Sequence, residues 1–203
     1  MTETQPVPRI IPQGTGPERL PLPPLESLTE EQRAAAQALI DGPRKGVYGP
    51  FVPLLRTPAL LDRVAQLGEV LRFNGTLEAR IRELVIATAA AEVGNQFEWV
   101  MHEPLARAAG VSAEALESIR VGARPEGLQG NEQVAFDFTA ELLRRNGVCD
   151  VTYGRAVECF GEAGVVELST LIGYFVMVSW MMNVGRTPSR PVSGVQGLTA
   201  HPL

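Results

Sequence analysis

A chain of 203 residues that is 45% apolar, with mean hydropathy near zero, is long enough for one sizeable core and has no mid-chain linker to divide it. Its formal charge of −5 comes from interspersed Asp, Glu and Arg without a basic run, which argues against nucleic acid as a partner. No basic segment followed by an apolar one opens the chain, and the most apolar stretch, 165–184, is broken by Glu167, Ser169, Thr170, Gly173 and Asn183. A soluble, cytoplasmic protein without membrane contact is therefore expected.

Residues 1–26 hold seven prolines, at 6, 8, 12, 17, 21, 23 and 24, a density that forbids helix and favours an extended arm. The segment from 27 to 187 reads as one all-α domain, followed by an irregular tail over 188–203. Ser27 or Thr29, with Glu30 or Gln32 three residues on, forms a capping-box pattern, and Gly42-Pro43 stops the first helix. "VYGPFVPLLRTP" is too apolar for a plain solvent loop, and its aromatic and aliphatic residues could line a pocket. Pro58 starts the next helix, Thr76 caps the one ending at Gly94, and Gly110 closes the one that follows. Ser112 and Asn131 cap two more, and the run from Thr152 to Val184 supplies another two. No segment alternates with period two, so a bundle of seven or eight helices is predicted.

Leu77, Ile81, Leu84 and Val85 make one apolar face, while Ala87 to Ala91 present only short side chains that let a neighbour come close, so this helix should be central. Glu83 lies at the edge of that face with Arg80 and Arg82 near in sequence, and a surface ion pair is the plain reading of such a cluster. Glu98 and His102, four apart, stack on one side of the next helix, where the carboxylate can fix the imidazole tautomer and raise its pKa. The same spacing also suits an ordinary polar stripe. Trp99 could face either core or pocket. One histidine with scattered carboxylates does not make a zinc or iron set, and no metal is expected. His201 reads as a tail residue. Cys149 and Cys159 lack Cys-x-x-Cys spacing and are expected as free buried thiols.

The stretch "RIRELVIATAAAEVGNQFEWVMHEPLARAAGVSAEALESI" resembles the carboxymuconolactone decarboxylase family, which includes the alkylhydroperoxidase-D-like proteins. "FGEAGVVELSTLIGYFVMVSWMMNV" is similar to later helices of that family, extending the resemblance over about 30–185. Its peroxidase branch has Glu, eleven residues, Cys-x-x-Cys, three residues, His; the matching positions here are Glu83, Asn95, Glu98 and His102. Neither Asn95 nor Glu98 can form a sulfenic acid, so thiol peroxidase chemistry is not expected.

The decarboxylase branch implies a cofactor-independent lyase or isomerase acting on a small carboxylated, lactone-like or aromatic-derived substrate, and a trimeric or hexameric homo-oligomer. On that reading His102 donates the proton, Glu98 orients it and Glu83 holds a second proton or a water. Asn95 and Trp99 stand beside the substrate, and Arg82 or Arg56 anchors its carboxylate. With the two helices antiparallel about Gly94-Asn95, the helical rise puts Glu83 about 16 Å and His102 about 10 Å from the turn, leaving an axial gap for a substrate or water. A non-catalytic oligomeric helical protein keeping the signature as packing is the alternative, and a His102 sealed in apolar side chains would favour it.

Overall fold

Local capping chemistry sets where the helices begin in the structure, a computed structural model that describes residues 17–198. Helix α1 (Glu30–Asp41) follows Thr29, whose hydroxyl accepts from Gln32 N at 3.2 Å while the Gln32 side chain accepts from Thr29 N at 3.0 Å. A short α2 (Phe51–Leu54) precedes α3 (Pro58–Phe73), which has proline in its first turn. Next come α4 (Ala79–Glu92), α5 (Gln96–Ala108), α6 (Ala113–Arg120), α7 (Asn131–Arg145) and α8 (Asp150–Gly185). Among the described residues there is no strand, and the fold is all-α, with eight helices and a single 3₁₀ turn at Leu25–Ser27. Residues 1–16 of the Pro-rich segment, and His201, lie outside the described residues.

Two expectations shift. Thr76 does not cap α4: its backbone N and hydroxyl donate to the Glu167 carboxylate of α8 at 2.9 and 2.6 Å, Leu77 N joins them at 3.2 Å, and the helix starts at Ala79. Asn131 is the first residue of α7, behind Gly130 with φ 53°. The two helices expected over 152–184 are both present, joined end to end as α8 across a kink at Gly161, whose φ of 69° breaks the helical path.

Helix α4 is the hub. Its side chains from Glu83 to Ala91 are all buried, and it packs against α5, α7 and α8. The alanine run allows that threefold approach, because only short side chains separate the backbones. One apolar cluster joins α3, α4 and α8 through Leu61, Ile86, Leu168 and Ile172. A second joins α4 to α5, α6 and α7 through Leu84, Trp99, Leu116 and Phe136. Each such fully buried side chain contributes about 1.5–3 kcal/mol of transfer free energy. Helix α8 is long and apolar enough to cross a membrane by length and composition, yet 56% of its most apolar window is buried within the protein.

The flanking segments are pinned to this bundle. Arg19 N and Leu20 N donate to Gly185 O, and the Arg56 guanidinium donates to Leu20 O and Pro21 O. At the other end Trp99 Nε1 donates to Gln196 O at 2.8 Å, and the Gln96 side chain exchanges hydrogen bonds with Leu198. Both cysteines are free as expected, but Cys149 is exposed and Cys159 only half-buried, since both sit toward the outer end of α8.

Candidate functional site

Helices α4 and α5 bring Glu83 and His102 into contact: His102 Nδ1 lies 2.6 Å from Glu83 Oε2. The axial gap expected between them is closed, because the two long side chains bridge the offset along the helices. On the other ring nitrogen, Nε2 lies 3.4 Å from Glu98 Oε2, within the same helix. Glu83 makes the short bond that fixes the ring, and Glu98 stands at the longer distance. An ionised carboxylate can only accept, so Nδ1 carries a proton and donates it to Glu83. The edge of the imidazole also meets the Phe175 ring, with centroids 5.1 Å apart at 81°.

A cavity of about 90 Å³ opens on the Glu98 side of the imidazole. Glu98 and His102 line it, whereas Glu83 does not. The loop and α2 contribute Tyr48, Pro50 and Phe51, so the apolar connection does line a pocket, as its composition suggested. Helix α5 adds Phe97, Met101 and Leu105, and α8 adds Tyr174, Phe175 and Val178. His102 keeps 3% of its surface exposed, so this cavity is its way to solvent.

Two arginines border the cavity, and neither is one that sequence reasoning singled out. Arg44 comes from the loop after α1 and Arg72 from the last turn of α3. Arg44 donates to Glu69 Oε1 at 2.7 Å and to Ala65 O at 3.0 Å, and its guanidinium lies 4.6 Å over the Phe51 ring. Arg72 Nε is buried and has no hydrogen-bond partner. The sequence did hold a signal for this corner, namely Gly68 inside α3, where glycine costs about 1 kcal/mol relative to alanine. A Cβ at Gly68 would stand 2.2 Å from the Tyr174 hydroxyl and 2.9 Å from Arg44 Nη2, so the glycine makes room for both.

The other expected site residues lie elsewhere. Asn95 caps α5, accepting from Glu98 N at 2.8 Å, and its amide donates to Ser179 O and to Asn183 Oδ1, so it ties α5 to α8 from a fully buried position. Trp99 belongs to the core and reaches the tail rather than the cavity. Arg82 stands behind Glu83, with Nε 3.3 Å from Oε1. Arg56 holds the N-terminal segment on the surface. Arg80 turns to Glu132 at 2.6 Å, and Glu83 is buried, so the surface ion-pair reading of that cluster does not describe Glu83. A larger open cleft between α7 and the start of α8 carries Arg124, Arg144, Arg145 and Arg155, but it holds no histidine, and Arg124 and Arg144 pair with Asp137 and Glu92.

Electrostatics reinforce the histidine contact. Burial disfavours the His102 imidazolium, yet the hydrogen bonds and charges of Glu83 and Glu98 outweigh it and raise its pKa above 6.5. Burial likewise pushes Glu83 up, but the bond to His102 and the charges of His102, Arg72 and Arg82 bring it below 4.5. Tyr174 is pushed up to about 12, chiefly by burial, so its hydroxyl stays protonated. The geometry therefore gathers an imidazole whose protonated form is favoured, a phenol donor and two guanidinium groups around one small space.

Residues 58–141 match the model of the carboxymuconolactone decarboxylase family. Among solved structures, the alkylhydroperoxidase AhpD core of an uncharacterized peroxidase-related protein from Ralstonia eutropha JMP134 superposes with TM-score 0.69 at 16% identity, over 85% of this chain and 92% of that one. An uncharacterized peroxidase-related protein from Silicibacter sp. TM1040 superposes with TM-score 0.69 at 14% identity, over 93% and 96%. No curated protein matches the sequence. Over residues 58–141, then, the chain is similar to the carboxymuconolactone decarboxylase family, and its all-helical fold is one that it shares with AhpD-like structures.

Proposed function

We propose that the protein is a cofactor-independent lyase or isomerase in which His102 transfers a proton to carbon of a small carboxylated, lactone-like or aromatic-derived substrate. The observation that carries this reading is the buried His102, bonded through Nδ1 to Glu83 and turned toward the cavity beside Glu98. A proton transfer to an enolate-like carbon needs an acid whose pKa is near the working pH and a polar surround for the developing charge. A carboxylate-braced imidazolium supplies the acid. Arg72, Arg44 and the Tyr174 hydroxyl supply the surround. Glu83 acts through His102 as a positioning residue, and Glu98 shares the cavity with substrate. Decarboxylation, isomerisation, hydration and dehydration next to a carbonyl all pass through such a step.

The small volume of the cavity and the low exposure of His102 favour the rival, a non-catalytic helical binding or scaffold protein. Turnover decides between them. On a panel of carboxylated lactones and their enol tautomers, we expect His102→Gln to lower kcat by roughly two to four orders of magnitude, the range for a lost general acid, while Glu98→Gln falls between. A folded His102→Gln protein with wild-type turnover would overturn the proposal and leave the scaffold reading. We further propose a cytoplasmic setting and a homo-oligomer, supported respectively by the burial of α8 and by its exposed apolar residues.

A further inference from the structure

Charge is unevenly satisfied around the cavity. Glu69, Glu83 and Glu98 are the carboxylates, and Arg44, Arg72, Arg82 and His102 are the cationic groups. Arg44 is occupied by Glu69, by Ala65 O and by the Phe51 face. Arg82, Glu83, His102 and Glu98 form a continuous chain of contacts. Arg72 is left over. It makes no hydrogen bond or ion pair with any described residue, its Nε is buried without an acceptor, its charge reaches Glu83 and Tyr174 only through space, and its guanidinium lies 5.1 Å from the Phe73 ring.

A half-buried guanidinium without an acceptor is costly, and a carboxylate is the ligand whose planar, bidentate geometry relieves that cost best. From this we infer that Arg72 is the anchoring residue of the cavity and selects ligands with a single carboxylate on a flat apolar body. The inference rests on the reading of this cavity as the substrate site. The single carboxylate follows from the charge pattern, because a second anionic group would meet Glu98 or face a guanidinium that Glu69 already neutralises. The flat apolar body follows from the walls, where Phe97, Phe175, Leu105 and Val178 offer rings and aliphatic surface. One consequence concerns the reaction. A cation gripping a carboxylate stabilises the very charge that decarboxylation must move onto carbon, so a sole anchored carboxylate is retained, and within the proposed class the reaction is isomerisation, hydration or dehydration rather than decarboxylation.

Calorimetric titration of the full chain with benzoate, benzamide and phthalate tests this. Wild-type protein should bind benzoate at least tenfold more tightly than either of the others. Arg72→Gln should lose at least tenfold in benzoate affinity, Arg72→Lys should recover part of it, and Arg56→Gln should leave it unchanged. Failure of the wild type to bind benzoate, equal affinity for benzamide or phthalate, or undiminished benzoate binding by a folded Arg72→Gln would each overturn the inference. The comparison among the three ligands needs no variant and stands even if Arg72→Gln does not fold. If binding behaves as expected while no lactone is turned over, the anchor stands and the proton-transfer reading falls.

Discussion

Two carboxylates flank the His102 imidazole, and their distances, 2.6 Å for Glu83 and 3.4 Å for Glu98, give them different work. The shorter contact sets the protonation state. In the proposed mechanism His102 acts when protonated, so the rate should hold at lower pH and decline as pH rises through its pKa, which lies above 6.5. Replacing Glu83 by Gln removes the first of the raising partners, and the alkaline limb of the kcat profile should move to lower pH. An alkaline limb that stays in place in Glu83→Gln would separate Glu83 from the acid. The same pair shapes stability. His102 has a raised pKa, so its contribution is complete below 6.5 and is lost as pH rises through the folded value; Glu83 is lowered, so its contribution is complete above 4.5 and is lost as pH falls through its own. Both are present together between those two values, and there the melting temperature of wild type should exceed that of Glu83→Gln by the widest margin. Sequence spacing showed Glu98 and His102 on one side of a helix. It could not show Glu83 on Nδ1, because that contact crosses between helices nineteen residues apart.

Helix α3 shows how one element serves the cavity from outside. It carries Glu69 and Arg72 on neighbouring turns and leaves a hole at Gly68 that Tyr174 and Arg44 fill. Gly68→Ala should gain helix propensity but drive a methyl into the Tyr174 hydroxyl, for a net loss of about 1–3 kcal/mol, the usual scale of overpacking. Gly154 in α8 has nothing within 4 Å of its would-be Cβ, and Gly154→Ala should stabilise by about 0.5–1 kcal/mol. Denaturant melts of the two variants check the pair, and a Gly68→Ala protein at least as stable as wild type would show that Tyr174 yields easily. Elements like these were legible in proportion to how local their signals are. Thr29 with Gln32, Pro58 and Ser112 act within one turn, and each begins the helix it was expected to begin. Thr76 misled by two residues and Asn131 by one, since Glu167 claims the donors at Thr76 and Gly130 takes the cap position before α7. Arg72 went unseen because an arginine near a helix end is ordinarily solvated.

At the scale of the molecule, one face of α8 is unfinished. Val166, Met177, Trp180 and Val184 fall on it at helical spacing, with Trp180 61% exposed. Multi-angle light scattering at micromolar concentration should give an integral multiple, three or six, of 21.9 kDa, and Trp180→Glu should shift it downward. A monodisperse monomer in the wild type would defeat that. The all-helical class was readable from periodicity and punctuation alone, whereas the arrangement of the helices around α4 depends on contacts no single segment encodes.

The Glu167 carboxylate gathers the donors of Thr76 and Leu77 across a separation of ninety-one and ninety residues. During synthesis, therefore, the approach to α4 is complete only after α8 has left the ribosome, and so is the cavity, whose far wall is Tyr174 and Phe175. Contacts of such long sequence separation close late, after the loop entropy between them has been overcome. The pair of Glu83 and His102 can meet early, being nineteen positions apart, but the chamber beside them is among the last things the chain builds.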